Sequence, residues 1–190
     1  GSGMVGYNVQ SAVDIKHHLI VAHEVTNVGT DRSQLSHMAK RTKAALGVDE
    51  LEVVADRGYF TGDEILACAK AGITVTLPKP QTSNNRLKGL FVKGDFRYVK
   101  DDDEYICPAG ESLRYHFTNR ERGQTLRRYW TNACQSCAIR GQCTTSKQRR
   151  ISRWEHEQLL DEVQHRLDSD PQAMRRRRET VEHPFGTIKA

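Results

Sequence analysis

Apolar residues come in short β-branched runs in the first half of the chain and in sparse helical spacing at its end. Residues 5–13 (VGYNVQSAV) and 19–26 (LIVAHEVT) flank Lys16, His17 and His18, a pattern that predicts an antiparallel hairpin with a short polar turn. Asp31 caps a helical pattern with apolar positions Leu35, Met38, Ala39, Ala45 and Leu46, and Gly47 stops it. The apolar run 51–55 (LEVVA) predicts a short buried strand that ends at Asp56. Thr61 opens a second helix, with Glu64 three residues on completing a capping box, and Gly72 closes it. Residues 73–77 (ITVTL) give another strand. The order strand, strand, helix, strand, helix, strand predicts a mixed α/β sheet whose last strands run parallel.

Beyond residue 77 the pattern breaks. Pro78, Pro80, Ser83, Asn84 and Asn85 mark a loop or linker. Short strands are predicted over 96–106 and 113–117, on either side of the turn CPAGES. A helix is predicted from Ser152 or Trp154 to about Leu167, and Pro171 suits the first turn of a final helix. Pro184 inside that last pattern predicts a kink or a restart. Three segments result: a core part over 5–80, a basic cysteine-containing insert over 81–150, and closing helices over 151–190.

Composition adds a partner. The chain has 190 residues, 28% of them charged, with a net charge of +5. From Cys107 onward there are 16 Lys and Arg against 10 Asp and Glu, whereas residues 1–106 hold 13 against 14. Over 114–153 ten basic residues face only Glu121. Such asymmetry is the footprint of a polyanion, and the dominance of Arg favours phosphate. It also describes an ordinary solvated face. No apolar run is long enough to span a membrane, and no secretory pattern precedes the first strand. Gly1-Ser2-Gly3 ahead of Met4 reads as a cloning remnant.

Two segments carry candidate metal chemistry. Asp56 in ADRGYF ends a strand, where open α/β sheets bind ligands. Glu182 lies four residues after Arg178 and seven before Lys189, which puts cation, carboxylate and cation on one helical face. An Arg–Glu salt bridge on a surface helix, or a strand-end aspartate capping a turn, would look the same. Glu179 competes, with Arg175 four residues before it, but Gly186 stands where a following cation would be. Val181, Phe185 and Ile188 form the face that docks this helix.

With GYNVQSAVD, VVADRGYF and RETVEHPFGTIK in this order, the chain resembles the DDE-type transposases of bacterial insertion sequences. More closely, it is similar to the group with an Arg–Glu–Lys signature on the last catalytic helix and a cysteine-containing insert before it. The resemblance covers nearly all of residues 5–189. It implies a ribonuclease H-like fold and a cytoplasmic, nucleoid-associated bacterial protein that acts on DNA at element ends and at a target; a homodimer is one oligomeric state open to it. It implies Mg²⁺ or Mn²⁺ held by carboxylates, with Asp56 as the second aspartate, Glu182 as the glutamate, and Arg178 and Lys189 as the signature cations. Two such ions, roughly 3.5–4 Å apart, activate the attacking oxygen and stabilise the leaving one. The chain has Arg175 where the family often has a tyrosine. No aspartate precedes the hairpin where the family's first one stands, and Asp14 reads as a turn residue. The expectation is an amino-terminally shortened catalytic domain with little or no strand transfer. Alternatives are a non-catalytic DNA-binding remnant or a ribonuclease H-like nuclease.

Cys107, Cys134, Cys137 and Cys143 are a further candidate site, for zinc. Four thiolates suit tetrahedral Zn²⁺, although this spacing is not a pair of CxxC knuckles. A reducing cytosol disfavours disulfides. An iron–sulfur cluster or thiols packed as small apolar residues remain alternatives, and His116, His156 and His165 are substitute ligands. Cys68 reads as core. The insert would present Arg127, Arg128, Arg149 and Arg150 to DNA. Trp130 reads as core of the insert, and Tyr129 as core or as a stacking platform.

Overall fold

The computed structural model describes residues 6–81 and 83–189, with only the course of the helix for His183 and residues 185–189. The chain divides into two compact units, one of residues 1–80 and 158–190, the other of residues 81–157.

In the first unit, β1 (Asn8–Val13) and β2 (Ile20–Thr26) form the antiparallel hairpin, with Asn8 opposite Thr26 and Ser11 opposite His23. Helix α1 (Leu35–Leu46) ends at Gly47, whose φ of 64° lets its N–H turn back to Lys43 and Ala44 carbonyls. Strand β3 (Leu51–Val54) pairs in parallel with β4 (Ile73–Thr76) through α2 (Gly62–Lys70). Thr61 caps α2 by accepting the Glu64 N–H, but the Glu64 carboxylate accepts from Ser36 N–H at 2.7 Å and so ties α2 to α1. The capping box is therefore only half formed. Asp31 likewise does not cap α1. It begins a short 3₁₀ turn, Asp31–Ser33, for which Thr30 is the cap.

Leu35, Ile65, Cys68, Val75 and Leu77 form the core of this unit, joined by Val163 of α3 (Glu157–Ser169). Burying a side chain of this size stabilises by about 1.5–3 kcal/mol. Cys68 is fully buried, and desolvation pushes its thiol up to about 11. From α3, Arg166 donates to the Val75 carbonyl at 2.9 and 3.2 Å and pins the helix to β4. The closing helix α4 (Ala173–Lys189) runs through Pro184 without ending there. Proline removes a single helical N–H donor, and the flanking turns carry the helix past it.

The expected mixed sheet is present only in part. β1–β2 and β3–β4 are separate two-stranded ladders, and β1 and β3 both line a cavity of about 630 Å³. Strands share a ladder only at a spacing of about 4.8 Å, which this cavity prevents.

The second unit is a five-stranded antiparallel sheet in sequence order: β5 (Arg97–Val99), β6 (Glu104–Ile106), β7 (Ser112–Glu121), β8 (Gln124–Trp130) and β9 (Ile151–Trp154). Residues 151–154, expected to begin a helix, are β9, and α3 starts only at Glu157. Glu157 accepts from the Trp154 N–H at 3.1 Å, which marks the change from strand to helix. β7 turns into β8 through Arg122 and Gly123, both with positive φ (51° and 82°). Paired positive φ values suit the two-residue turns that match strand twist.

Phe96, Tyr105, Leu113, Tyr129 and Ile151 form this unit's core. Trp130, expected in the core, is not there, and Tyr129, for which core and stacking were both open, is. Tyr129 is fully buried and donates to Asp103 at 2.7 Å, and desolvation drives its phenol well above the usual range. Trp130 is only partly buried, stacked on the His116 ring at 3.5 Å with Arg150 over it at 5.0 Å. Strand alternation decides this: consecutive residues face opposite sides, so only one of the pair can enter the core.

Candidate active site

Asp56 follows β3 and caps the 3₁₀ turn Arg57–Tyr59. Its Oδ1 accepts the Gly58 N–H at 2.8 Å, and its Oδ2 accepts from Arg177 Nη2 at 3.0 Å. The aspartate side chain stays 43% exposed. A rigid strand end thus presents a carboxylate to solvent, and an arginine from α4 neutralises it.

A second carboxylate lies beside it. Asp31 Oδ1 accepts from Asn8 Nδ2 at 2.9 Å and from Gln10 Nε2 at 2.7 Å. Gln10, only 2% exposed, accepts the Tyr59 hydroxyl through its own Oε1. A Cβ built on Gly58 would lie 3.0 Å from Asp56 Oδ1 and 3.5 Å from Asp31 Oδ2, so both carboxylates crowd one glycine. The Tyr59 phenol feels this: burial first, then the charges of Asp31 and Asp56, push it up to about 12. The GYNVQ, TDRSQ and ADRGYF segments therefore meet through side chains.

On α4, Arg178 and Glu182 are exposed, and Arg175 pairs with Glu179 at 2.9 Å. Lys189 lies outside the residues whose side chains are described. The arginine that reaches Asp56 is Arg177, not Arg178. The signal for it was present: stepping one turn back from Val181 on the expected docking face arrives at Arg177. Asp31 had no such signal, because its partners lie about twenty residues upstream.

Carboxylate oxygens are the right donors for Mg²⁺ or Mn²⁺. Among the described residues, however, no group of three or more His, Cys, Asp or Glu is gathered to hold a metal ion. With Arg177 on Asp56, the donor type fits a hard cation but the cage is not closed.

In the second unit, Arg127 pairs with Asp103 and lies over the Tyr115 ring at 4.7 Å. Arg128 is bound by Asn119, Glu121 and Ser152. Arg150 is exposed, and Arg149 lies over Phe96 at 5.4 Å. Cys107, Cys134, Cys137 and Cys143 line one cavity of about 20 Å³, together with Arg149. The Cys143 thiol is pushed up by burial, partly offset by Arg149, and raised further by the other three thiols.

A family model, the transposase DDE domain, matches residues 106–190. The match takes in the cysteines from 107 to 143 and Glu182, and it stops short of Asp56. It bears out the resemblance to DDE-type transposases over this stretch, a family whose substrate is DNA. No curated protein matches the chain, and no solved structure does. Among the described residues no helix is long and apolar enough to cross a membrane.

Proposed function

We propose that this chain is catalytic-domain sequence of a DNA transposase, with Asp56 and Glu182 as two of the carboxylates used for metal-dependent cleavage and strand transfer at element ends, and that by itself it carries out little or no strand transfer. The observation that carries this reading is the Arg177–Asp56 pair. It links the strand-end aspartate to the helix that bears Glu182. The family match over residues 106–190 supports it independently.

A bound Mg²⁺ or Mn²⁺ would supply Lewis-acid activation of a phosphoryl oxygen. The Gly58 N–H fixes one oxygen of Asp56 and leaves the other to be shared. Arg177 balances that charge and is placed to grip a phosphate. Arg178, exposed one residue further on, offers a second contact to the DNA backbone, and Lys189 extends the same role.

Manganese titration of the purified chain, followed by electron spin resonance, tests the assignment. Asp56→Asn and Glu182→Gln should each weaken Mn²⁺ binding about tenfold or more, or about 1.4 kcal/mol. Asp49→Asn should leave it unchanged. Equal Mn²⁺ affinity in wild type and Asp56→Asn would remove Asp56 from the site.

A further inference from the structure

We propose that Cys107, Cys134, Cys137 and Cys143 hold one structural Zn²⁺, with Arg149 as a positioning residue beside the sulfurs. This rests on the second unit alone and not on the DNA-cleavage reading.

Four of the chain's five cysteines, from three separate turns, line the same cavity. None is in a disulfide. Cys107 heads a turn closed by the Gly110 N–H on its carbonyl at 2.8 Å, and Gly110 has the left-handed φ of 82° that this turn requires. Cys134 lies in the 3₁₀ turn Asn132–Gln135, and Cys143 follows the turn Arg140–Gln142. Between β8 and β9 these two short turns are the only regular structure. Such a segment buries little apolar surface, and a metal cross-link supplies the folding energy it lacks.

Donor type and charge select the ligand. Four sulfurs on one small cavity are the donor set of a single tetrahedral Zn²⁺. The Arg149 Nε is buried with no hydrogen-bond partner, and its side chain lines this cavity. A buried donor left without an acceptor is unfavourable, and a charged sulfur beside it would supply one. Thiols are poor acceptors, whereas thiolates are good ones. Four thiolates on Zn²⁺ carry a net charge of about −2, which one arginine partly offsets. The sulfurs are not yet gathered at bonding distance. Zn–S bonds of about 2.3 Å would draw the three turns inward.

The test uses the full chain, purified without chelator. Elemental analysis should find one zinc per chain and no stoichiometric iron. Cobalt substitution should give the sulfur-to-metal charge transfer and visible bands of a tetrahedral tetrathiolate. Cys137→Ser and Cys143→Ser should lose stoichiometric zinc, and Cys68→Ser should keep it. Arg149→Gln should keep zinc but lower its affinity on the order of tenfold in chelator competition. If the serine variants do not fold, the cobalt spectrum of the wild-type chain decides alone. A chain that takes up neither zinc nor cobalt, that carries iron and sulfide, or that shows disulfides among these cysteines overturns the proposal. Failure here leaves the manganese test at Asp56 untouched, and the reverse holds.

Discussion

Gln10 is a polar side chain buried to 2% exposure, and its amide is shared by Asp31, Asn8 and Tyr59. Such networks stabilise only when every member is satisfied. Gln10→Ala strands the Tyr59 hydroxyl and one contact to Asp31, and we expect a loss of about 1–3 kcal/mol in urea unfolding. Unchanged stability would mean the network contributes nothing. The Tyr59 phenol adds a pH dependence. Its folded value of about 12 lies above the unfolded value of about 10. The folded chain therefore retains a proton that the unfolded chain releases. This contribution is complete below about pH 10 and is lost as pH rises through about 12. Tyr59→Phe should flatten that alkaline decline, read as unfolding free energy against pH.

Elements were legible where local rules act. Gly47 and Gly72 stop their helices with φ of 64° and 65°, and Thr61 caps α2. Thr61→Ala should cost about 1 kcal/mol and Thr61→Gly only a few tenths, measured by denaturant unfolding. A cost of zero for alanine would show that the Ser36–Glu64 bond alone holds this end of α2. Strands β8 and β9 were not legible. QTLRRYW carries two arginines, and both are absorbed by partners far along the chain, Asp103 for Arg127 and Ser152 for Arg128. ISRW resembles a helix start until Tyr129 pairs across from Ile151. Pairing between distant segments leaves no local periodicity.

Across the whole chain, basic charge gathers after Cys107, as the family match to a DNA-acting domain would require. Affinity for duplex DNA should fall linearly with salt on logarithmic axes, with a slope near −0.9 per phosphate neutralised. Arg150→Gln, at an exposed cation, should reduce that slope by about one. Arg128→Gln should not, because Glu121 already holds that guanidinium. Fluorescence anisotropy at several salt concentrations separates them. Equal effects would mean that the internal pairs open on binding.

Local chemistry in the chain set the hairpin, the first two helices, the parallel pair, the cysteine spacing and the candidates Asp56 and Glu182. Each depends on turn residues, caps or periodicity within a few positions. Tertiary packing decided which arginine meets Asp56, that Asp31 stands beside it, that Tyr129 and not Trp130 is core, and that four cysteines share one cavity. These outcomes depend on helix phase, strand register and contacts between distant segments, and no short stretch of sequence encodes those.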